Sequence, residues 1–310
     1  MRKKKVIFLV GPTASGKSEA AVMLAKKINT EIISCDSMQV YKGMNIGTSK
    51  IKKDETRGIT HHLIDVIEPD EEFNVAIFRD KVNSLIEKIH RNDRVPLLVG
   101  GSGLYMKILL DGIFDKAGEV EGFRERIEKE ARGRLEDYLY RKLKEVDPVA
   151  ADSLHPKDKR RIIRALEVYY HLGIPISEAK EKRKGLWEKH SVLIFGLTYD
   201  RQELYERINK RVDFMFEAGL LDEVKNLVDK FKLSRTAKNA LGYKELMGFL
   251  EGEYSLDEAK RLIKRNTRRY AKRQLTWFKK EPRIEWITIS EGEGYEEIAA
   301  GIYAKVKNEI

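Results

Sequence analysis

VIFLVGPTASGKS, residues 6 to 18, governs the reading of the whole chain. Its apolar run enters a glycine-containing turn, and the helix formers EAAVMLAKK follow at once. Gly11, Gly16, Lys17 and Ser18 stand at every fixed position of the phosphate-cradling pattern G-x-x-x-x-G-K-[ST]. The physical reason for that spacing is general. Glycines let the backbone close round an anion, the loop amides and the helix N-terminus face it, the lysine neutralises charge, and the hydroxyl can ligate Mg²⁺. Gly11, Pro12, Thr13, Ala14, Ser15, Gly16, Lys17 and Ser18 are therefore candidate phosphate or diphosphate ligands, with Ser18 the candidate metal ligand. Whose phosphates they hold is left open by the loop itself.

Working outward, EIISCD (31–36), PLLVGG (96–101) and VLIFGL (192–197) are short apolar runs of the kind buried on both faces of a parallel sheet, and IEWITI (284–289) is a possible last strand. Helical patterns lie between them. The alternation predicts an α/β fold, a P-loop NTPase-like parallel sheet flanked by helices. From about 117 to 190 no strand pattern occurs, while FRERIEKEARGRLEDYLYRKLKEV and KRRIIRALEVYYHLG are rich in helix formers. The expected division is a core of 1–116 and 191–310 with a helical insertion domain of 117–190. Residues 200–280 read as helical again, with a turn at LGYKE.

Composition narrows the partners. The 310 residues are 42% hydrophobic, which suits a globular protein, and no run approaches the roughly 20 apolar residues of a membrane span. MRKKKVIFLV meets glycine too soon for a signal peptide, so a soluble, cytoplasmic protein is expected. The single cysteine, Cys35, excludes an intramolecular disulfide and a cysteine-rich zinc site. Sixty basic against 50 acidic residues give a net charge of +10, which favours a polyanionic partner. In RLIKRNTRRYAKRQLTWFKK (261–280) the basic residues recur at helical spacing, interleaved by Tyr270, Trp277 and Phe278, and form a stripe nearly free of acids that suits a phosphate backbone better than a solvated face with core aromatics.

Most nucleotide hydrolases carry a second strand that ends in a Mg²⁺-binding aspartate. Here PLLVGGSGLY ends in glycines, and Asp200 lies past the strand VLIFGL. The acid at a strand end is Asp36, in CDSMQVYKGM, where the carboxyl edge of an open sheet gathers substrate groups. There it could bind Mg²⁺, orient a substrate, take a proton from a nucleophile or cap the next helix. His61 and His62 point to opposite faces if they lie on a strand, which argues against a metal pair. On these residues alone a phosphate-loop kinase of a small metabolite or nucleotide, or a non-catalytic RNA-binding module, stays open.

GPTASGKS, ISCDSMQVYKGMNIGTSK, HHLIDV, PLLVGGSGLY, HPKDKRRIIRALE, LGYKE and YAKRQLTWF, in this order, closely resemble the bacterial tRNA dimethylallyltransferases, also called tRNA isopentenyltransferases, from about residue 5 to 290. The resemblance implies transfer of a dimethylallyl group from dimethylallyl diphosphate, with Mg²⁺, to N6 of the adenosine on the 3′ side of the anticodon. It implies Asp36 as general base or hydrogen-bond acceptor, and Thr13 and Arg211 as groups stabilising the departing diphosphate, with Arg207 the alternative arginine. Asp36, Ser37, Met38, Gln39 and Ser102 would shape the adenine pocket. Contacts to tRNA are implied for Arg124, for Arg160, Arg161, Ile162, Ile163 and Arg164, and for Gly242, Tyr243 and Lys244. They are implied as well for Tyr270, Lys272, Arg273, Gln274 and Trp277. A monomer is expected. The chain departs from the usual pattern in having Ser18 and Ser102 where threonine is common, and Asn45 where aspartate is frequent.

Overall fold

The structure, a computed structural model, describes residues 3–113, 122–290 and 292–309. The chain opens with β1 (Lys5–Val10), α1 (Lys17–Lys27), β2 (Ile32–Ser34), β3 (His61–His62), α2 (Val75–Arg91), β4 (Leu97–Gly100) and α3 (Gly103–Asp111). Helices then follow without a strand: α4 (Phe123–Ala131), α5 (Tyr138–Val146), α6 (Pro148–Asp152), α7 (Lys159–Leu172), α8 (Ile176–Glu181) and α9 (Leu186–Lys189). The sheet resumes with β5 (Ser191–Thr198), and α10 (Arg201–Glu217), α11 (Leu220–Lys230), α12 (Arg235–Lys238), α13 (Tyr243–Leu250) and α14 (Leu256–Phe278) precede β6 (Ile284–Thr288) and α15 (Tyr295–Val306).

The strands form one parallel sheet in the order β3-β2-β4-β1-β5-β6. Every residue of β1 is buried, which is why that strand reads as a continuous apolar run rather than an alternation. Register aligns Val10 with Gly100 on one side and Gly196 on the other, so the turns after β1, β4 and β5 emerge together at the carboxyl edge. The turn after β2 emerges beside them, because Ser34 pairs with Val99. A ligand site at that edge is what the topology of an open α/β sheet favours.

Each predicted apolar run is a strand, and β3 adds a two-residue member within GITHHLIDV. Among the described residues no helix is long and apolar enough to cross a membrane.

Two compact units are present, Met1–Lys107 with Lys189–Ile310, and Ile108–Glu188. The expected boundary at 116/117 lies outside the described residues. The first unit packs α1 and α15 on the sheet through Leu24, Leu9, Phe195 and Ile302. The second has its own core of Phe123, Ile127, Leu139, Leu143, Ile162, Ile163 and Leu166. The segment FRERIEKEARGRLEDYLYRKLKEV holds two helices: α4 stops at Ala131, Gly133 takes a left-handed φ of 75°, and α5 begins at Tyr138. In the same unit Asp147 is buried and accepts hydrogen bonds from Ala150 N–H, Ser177 N–H and Ser177 Oγ, which tie α6 to α8.

Candidate active site

The phosphate loop closes as its glycines require. Gly16 caps α1 in the left-handed region at φ 73°, and a Cβ on Gly11 would lie 2.4 Å from the carbonyl oxygen of Leu197. Ala14 is also left-handed, at φ 64°, a strained choice for a residue with a side chain. Its carbonyl accepts a hydrogen bond from Arg207 Nε at 3.1 Å, which holds the loop in that shape. Arg207 donates as well to the Tyr295 hydroxyl, and its guanidinium lies 4.2 Å from the centre of the Tyr199 ring. Tyr295 in turn packs against Gly16, where any Cβ would meet the ring.

Arg211, one helical turn further along α10, has a different setting. Its Nε donates to Ser49 Oγ at 2.6 Å, and it is close enough to Lys17, Asp36 and Glu19 for charge to couple them. Burial lowers its pKa, with Arg207 adding to the effect and Glu19 and Asp36 opposing it. Lys17 is pushed down to about 8, by burial first and by Arg211 second, against the pull of Asp36 and Glu19. Its Nζ donates to Pro12 O at 3.0 Å. Two neighbouring cations that both resist being charged form a place where a multiply charged anion gains most.

Asp36 follows β2 and accepts from Met38 N–H at 2.8 Å and Gln39 N–H at 3.3 Å, both on Oδ1. Asp36 therefore caps a turn and not the helix expected to follow, and it does so with one oxygen, leaving Oδ2 for a further partner. Gln39 is engaged elsewhere: its Oε1 accepts from Ser34 Oγ, and its Nε2 donates to Thr48 O. Asp36 also adds to the rise of the Tyr270 hydroxyl pKa to about 12, which burial causes and hydrogen bonds with Ser102 and Gln274 oppose. Asp36, Lys17, Arg211, Ser102 and Tyr270 thus belong to one neighbourhood.

Three glycines, Gly100 closing β4 and Gly101 and Gly103 just past it, stand where a Mg²⁺-binding acid is usual, and each is tightly packed. A Cβ would fall 2.3 Å from Cys35 O at Gly100, 2.4 Å from Gln274 Nε2 at Gly101 and 2.4 Å from the Trp277 ring at Gly103. Gln274 is buried and bridges two strand ends. Its Oε1 accepts from Thr13 N–H at 2.9 Å, and its Nε2 donates to Gly101 O at 2.9 Å. The residue expected to touch RNA is a strut inside the site, since both ends of its amide are used.

Other expected contacts sort by exposure. Ile162 and Ile163 are core residues of the helical unit, because on α7 they occupy its apolar face while Arg160 and Arg161 are exposed. Arg124 and Arg164 both pair with the buried Glu167. Tyr243 is fully buried with its hydroxyl on Glu223, and Gly242 caps α13, whereas Lys244 is exposed. The basic stripe of α14 is uneven. Arg261 pairs with Glu258, Lys264 with Asp213, and Arg268 bonds Asn209, while Arg269, Lys272 and Arg273 are exposed. Of the residues that depart from the common pattern, Asn45 accepts from Lys50 Nζ at 2.9 Å, a bond any side-chain oxygen could make. Asp200 caps α10, and His62 pairs with Glu31.

Mg²⁺ keeps several waters and takes one or two protein oxygens together with substrate phosphates. Ser18, in the first turn of α1 beside Lys17, supplies a hard oxygen of that kind. Among the described residues no cluster of three His, Cys, Asp or Glu could cage a metal. The donor set fits an ion brought in with a diphosphate.

Comparison with known proteins adds to this geometry. Residues 39–281 match the family model of the IPP transferases. A tRNA dimethylallyltransferase of Carboxydothermus hydrogenoformans is 50% identical over 284 residues, 91% of each chain. One from Halothermothrix orenii is 47% identical over 307 residues, 98% of this chain and 91% of that one. Among solved structures, the tRNA isopentenylpyrophosphate transferase of Bacillus halodurans aligns with a TM-score of 0.72 at 41% identity, covering 99% of this chain and 98% of that one. A eukaryotic dimethylallyltransferase acting on tRNA aligns with a TM-score of 0.86 at 31% identity, covering 99% of this chain and 79% of that one.

Proposed function

Because the chain belongs to the tRNA dimethylallyltransferase family, we propose that its phosphate loop holds the diphosphate of dimethylallyl diphosphate while Asp36 receives the proton of the attacking nitrogen. The observation that carries this reading is the gathering of one carboxylate, Asp36, and two half-buried cations, Lys17 and Arg211, at the phosphate loop, with Arg211 held by Ser49 Oγ. A nucleophile activated at Asp36 and a leaving group neutralised at Lys17 and Arg211 would then face each other across one bond.

In the proposed step, N6 of an adenosine beside the anticodon attacks the first carbon of the dimethylallyl group. The N–C bond forms as the C–O bond to the diphosphate breaks, the N6 proton passes to Asp36, and the diphosphate departs with the bonding pair. Lys17, Arg211, Thr13 and the loop amides stabilise the charge that grows on the leaving oxygen. Bound Mg²⁺, held by Ser18 and the diphosphate, would supply further charge neutralisation there. The adenosine must leave its stack to reach the donor, which costs a few kcal/mol that contacts with neighbouring nucleotides offset. Ser37, Met38 and Gln39 after β2, Ser102 after β4, and Tyr270 and Trp277 on α14 are the proposed walls of its pocket. Exposed Lys272, Arg273, Lys244, Arg160 and Arg161 are the proposed backbone contacts, with Arg124 and Arg164 beside them on the helical unit. The tRNA-facing division of labour between the two units is part of the same proposal.

Incubating the protein with an anticodon stem-loop and either labelled dimethylallyl diphosphate or labelled ATP tests the donor. Label should move to the RNA from the prenyl donor alone. Phosphoryl transfer from ATP without prenyl transfer would overturn the reading in favour of a kinase.

The pKa of Lys17 gives a pH signature. Below about 8 its ammonium is charged and can hold the donor, and above that value the proton is lost, so kcat/KM for dimethylallyl diphosphate should fall as pH rises. A bound diphosphate favours the charged form, so the corresponding limb in kcat should lie at higher pH. Lys17→Arg, with a guanidinium that stays protonated, should flatten the alkaline limb. A wild-type kcat/KM that is flat to about one and a half pH units above the value for Lys17 would exclude this role.

A further inference from the structure

The loop that carries Ser49 is pinned from behind by a single carboxylate. Glu223, on α11, accepts hydrogen bonds from the backbone N–H groups of Asn45 at 3.0 Å and Ile46 at 2.8 Å on Oε2. Its Oε1 accepts from Gly47 N–H at 3.2 Å and from the Tyr243 hydroxyl at 2.6 Å. Four donors converge on one side chain, three of them successive backbone amides of the same turn. Tyr243 closes the clamp sterically as well: it is fully buried, and a Cβ on Gly47 would lie 2.4 Å from its ring.

Beyond the clamp the loop runs directly into the site. Thr48 O receives the Gln39 amide, and Thr48 Oγ1 donates back to Met44 O at 2.6 Å. Ser49 takes a left-handed φ of 48°, unfavourable for a serine, and in that shape its Oγ accepts from Arg211 Nε. A residue in such a conformation persists only where its surroundings over-determine it. Lys50 completes the arrangement with bonds to Tyr41 O and Asn45 Oδ1. Anchoring on both sides of Ser49 leaves the loop little freedom.

We propose that Glu223, assisted by Tyr243, is a positioning residue for the transfer reaction: it fixes residues 45–47 so that Ser49 holds the guanidinium of Arg211 against the departing diphosphate. The inference rests on the role given to Arg211 above. Glu223 never needs to meet donor or RNA, since all of its bonds go to the protein. Its negative charge matters because charge-assisted bonds to backbone amides are about twice as strong as neutral ones. Such a turn can be held this tightly without a metal or a second strand.

The test compares Glu223→Gln, Tyr243→Phe, Ser49→Ala and Arg211→Gln, alone and in pairs, by steady-state kinetics, inhibition by inorganic diphosphate and thermal unfolding. Glu223→Gln keeps the size and removes the charge. It should lower kcat about 10- to 100-fold and weaken inhibition by diphosphate, with the KM for tRNA within about threefold of wild type, as expected when a group acts on the leaving diphosphate and not on RNA binding. Tyr243→Phe keeps the ring on Gly47 and should show the same pattern at smaller amplitude, which guards against a Glu223 variant that fails to fold. The Glu223→Gln Ser49→Ala double variant should lose little more than the worse single one, because both act through Arg211.

Three outcomes would overturn the proposal: additive losses in the double variant, a lowered melting temperature with kcat unchanged, or an effect confined to the KM for tRNA. If Arg211→Gln itself leaves kcat intact, the assignment of Arg211 fails. If Arg211→Gln is impaired and Glu223→Gln is not, the positioning role alone fails.

Discussion

Replacing Asp36 with alanine is expected to slow prenyl transfer by about 10²- to 10⁴-fold while tRNA affinity changes by less than about threefold. Two roles of this side chain compete as explanations of any loss. As a turn cap it accepts from Met38 and Gln39 N–H groups, and removing such a cap costs about 1 kcal/mol, or roughly fivefold if all of it appeared in the barrier. A proton acceptor in the reaction is worth far more, so magnitude separates the two. Asp36→Asn divides them further. Its Oδ1 can still accept both amides, yet the amide cannot take a proton at neutral pH. An asparagine variant as slow as the alanine variant points to proton acceptance, and one within about tenfold of wild type limits Asp36 to holding the turn and orienting the adenine. Single-turnover transfer with saturating donor, beside a filter-binding measurement of tRNA affinity, makes the distinction.

The second large effect concerns the two arginines of α10. Arg211→Gln should lower kcat by about 10²- to 10³-fold, the range seen when a preorganised group facing developing charge is removed. Arg207→Gln should behave differently, because Arg207 is committed to Ala14 O, to the Tyr295 hydroxyl and to the face of Tyr199. Losing those contacts should reduce stability by about 1–3 kcal/mol and raise the KM for the donor, with a smaller change in kcat. Denaturant unfolding and steady-state kinetics on both variants check the contrast. If the two exchange their behaviour, Arg207 is the residue that faces the diphosphate.

What the sequence revealed follows the range of the forces involved. The phosphate loop and the central strands were legible because their signals are local: glycines at fixed spacing, and apolar runs that a doubly covered sheet demands. Asp36 was legible from its place at a strand end. The struts were not. Gln274 lies 261 residues from Thr13, and Glu223 lies 178 from Asn45, so neither bond leaves a trace in spacing. Tyr295 meets Gly16 from the last helix, again without a linear signal. A different reason applies to Ile162 and Ile163. Carrying a whole segment over to RNA contact ignored the helical period, which turns those two inward and leaves Arg160 and Arg161 outside. The basic stripe of α14 divides instead: Arg269, Lys272 and Arg273 are exposed, as its spacing implies, and others are taken up. Its composition said nothing of Asp213 and Asn209 on α10, which occupy Lys264 and Arg268.

The glycines that close β4 and follow it bear on what could be built into this site as well as on packing. Installing a Mg²⁺-binding carboxylate at this strand end would take an acid at Gly100 or Gly101. Here that path is blocked from two directions, since a side chain at the first would collide with the main chain of Cys35 and one at the second with the Gln274 amide. At Gly101 the acid would displace Gln274 of α14, and with it the strut to Thr13 N–H that shapes the loop. Side-chain volume alone therefore closes this strand end to an added acid, and a designer seeking a hydrolase here would first have to rebuild the loop after β2 or the packing of α14.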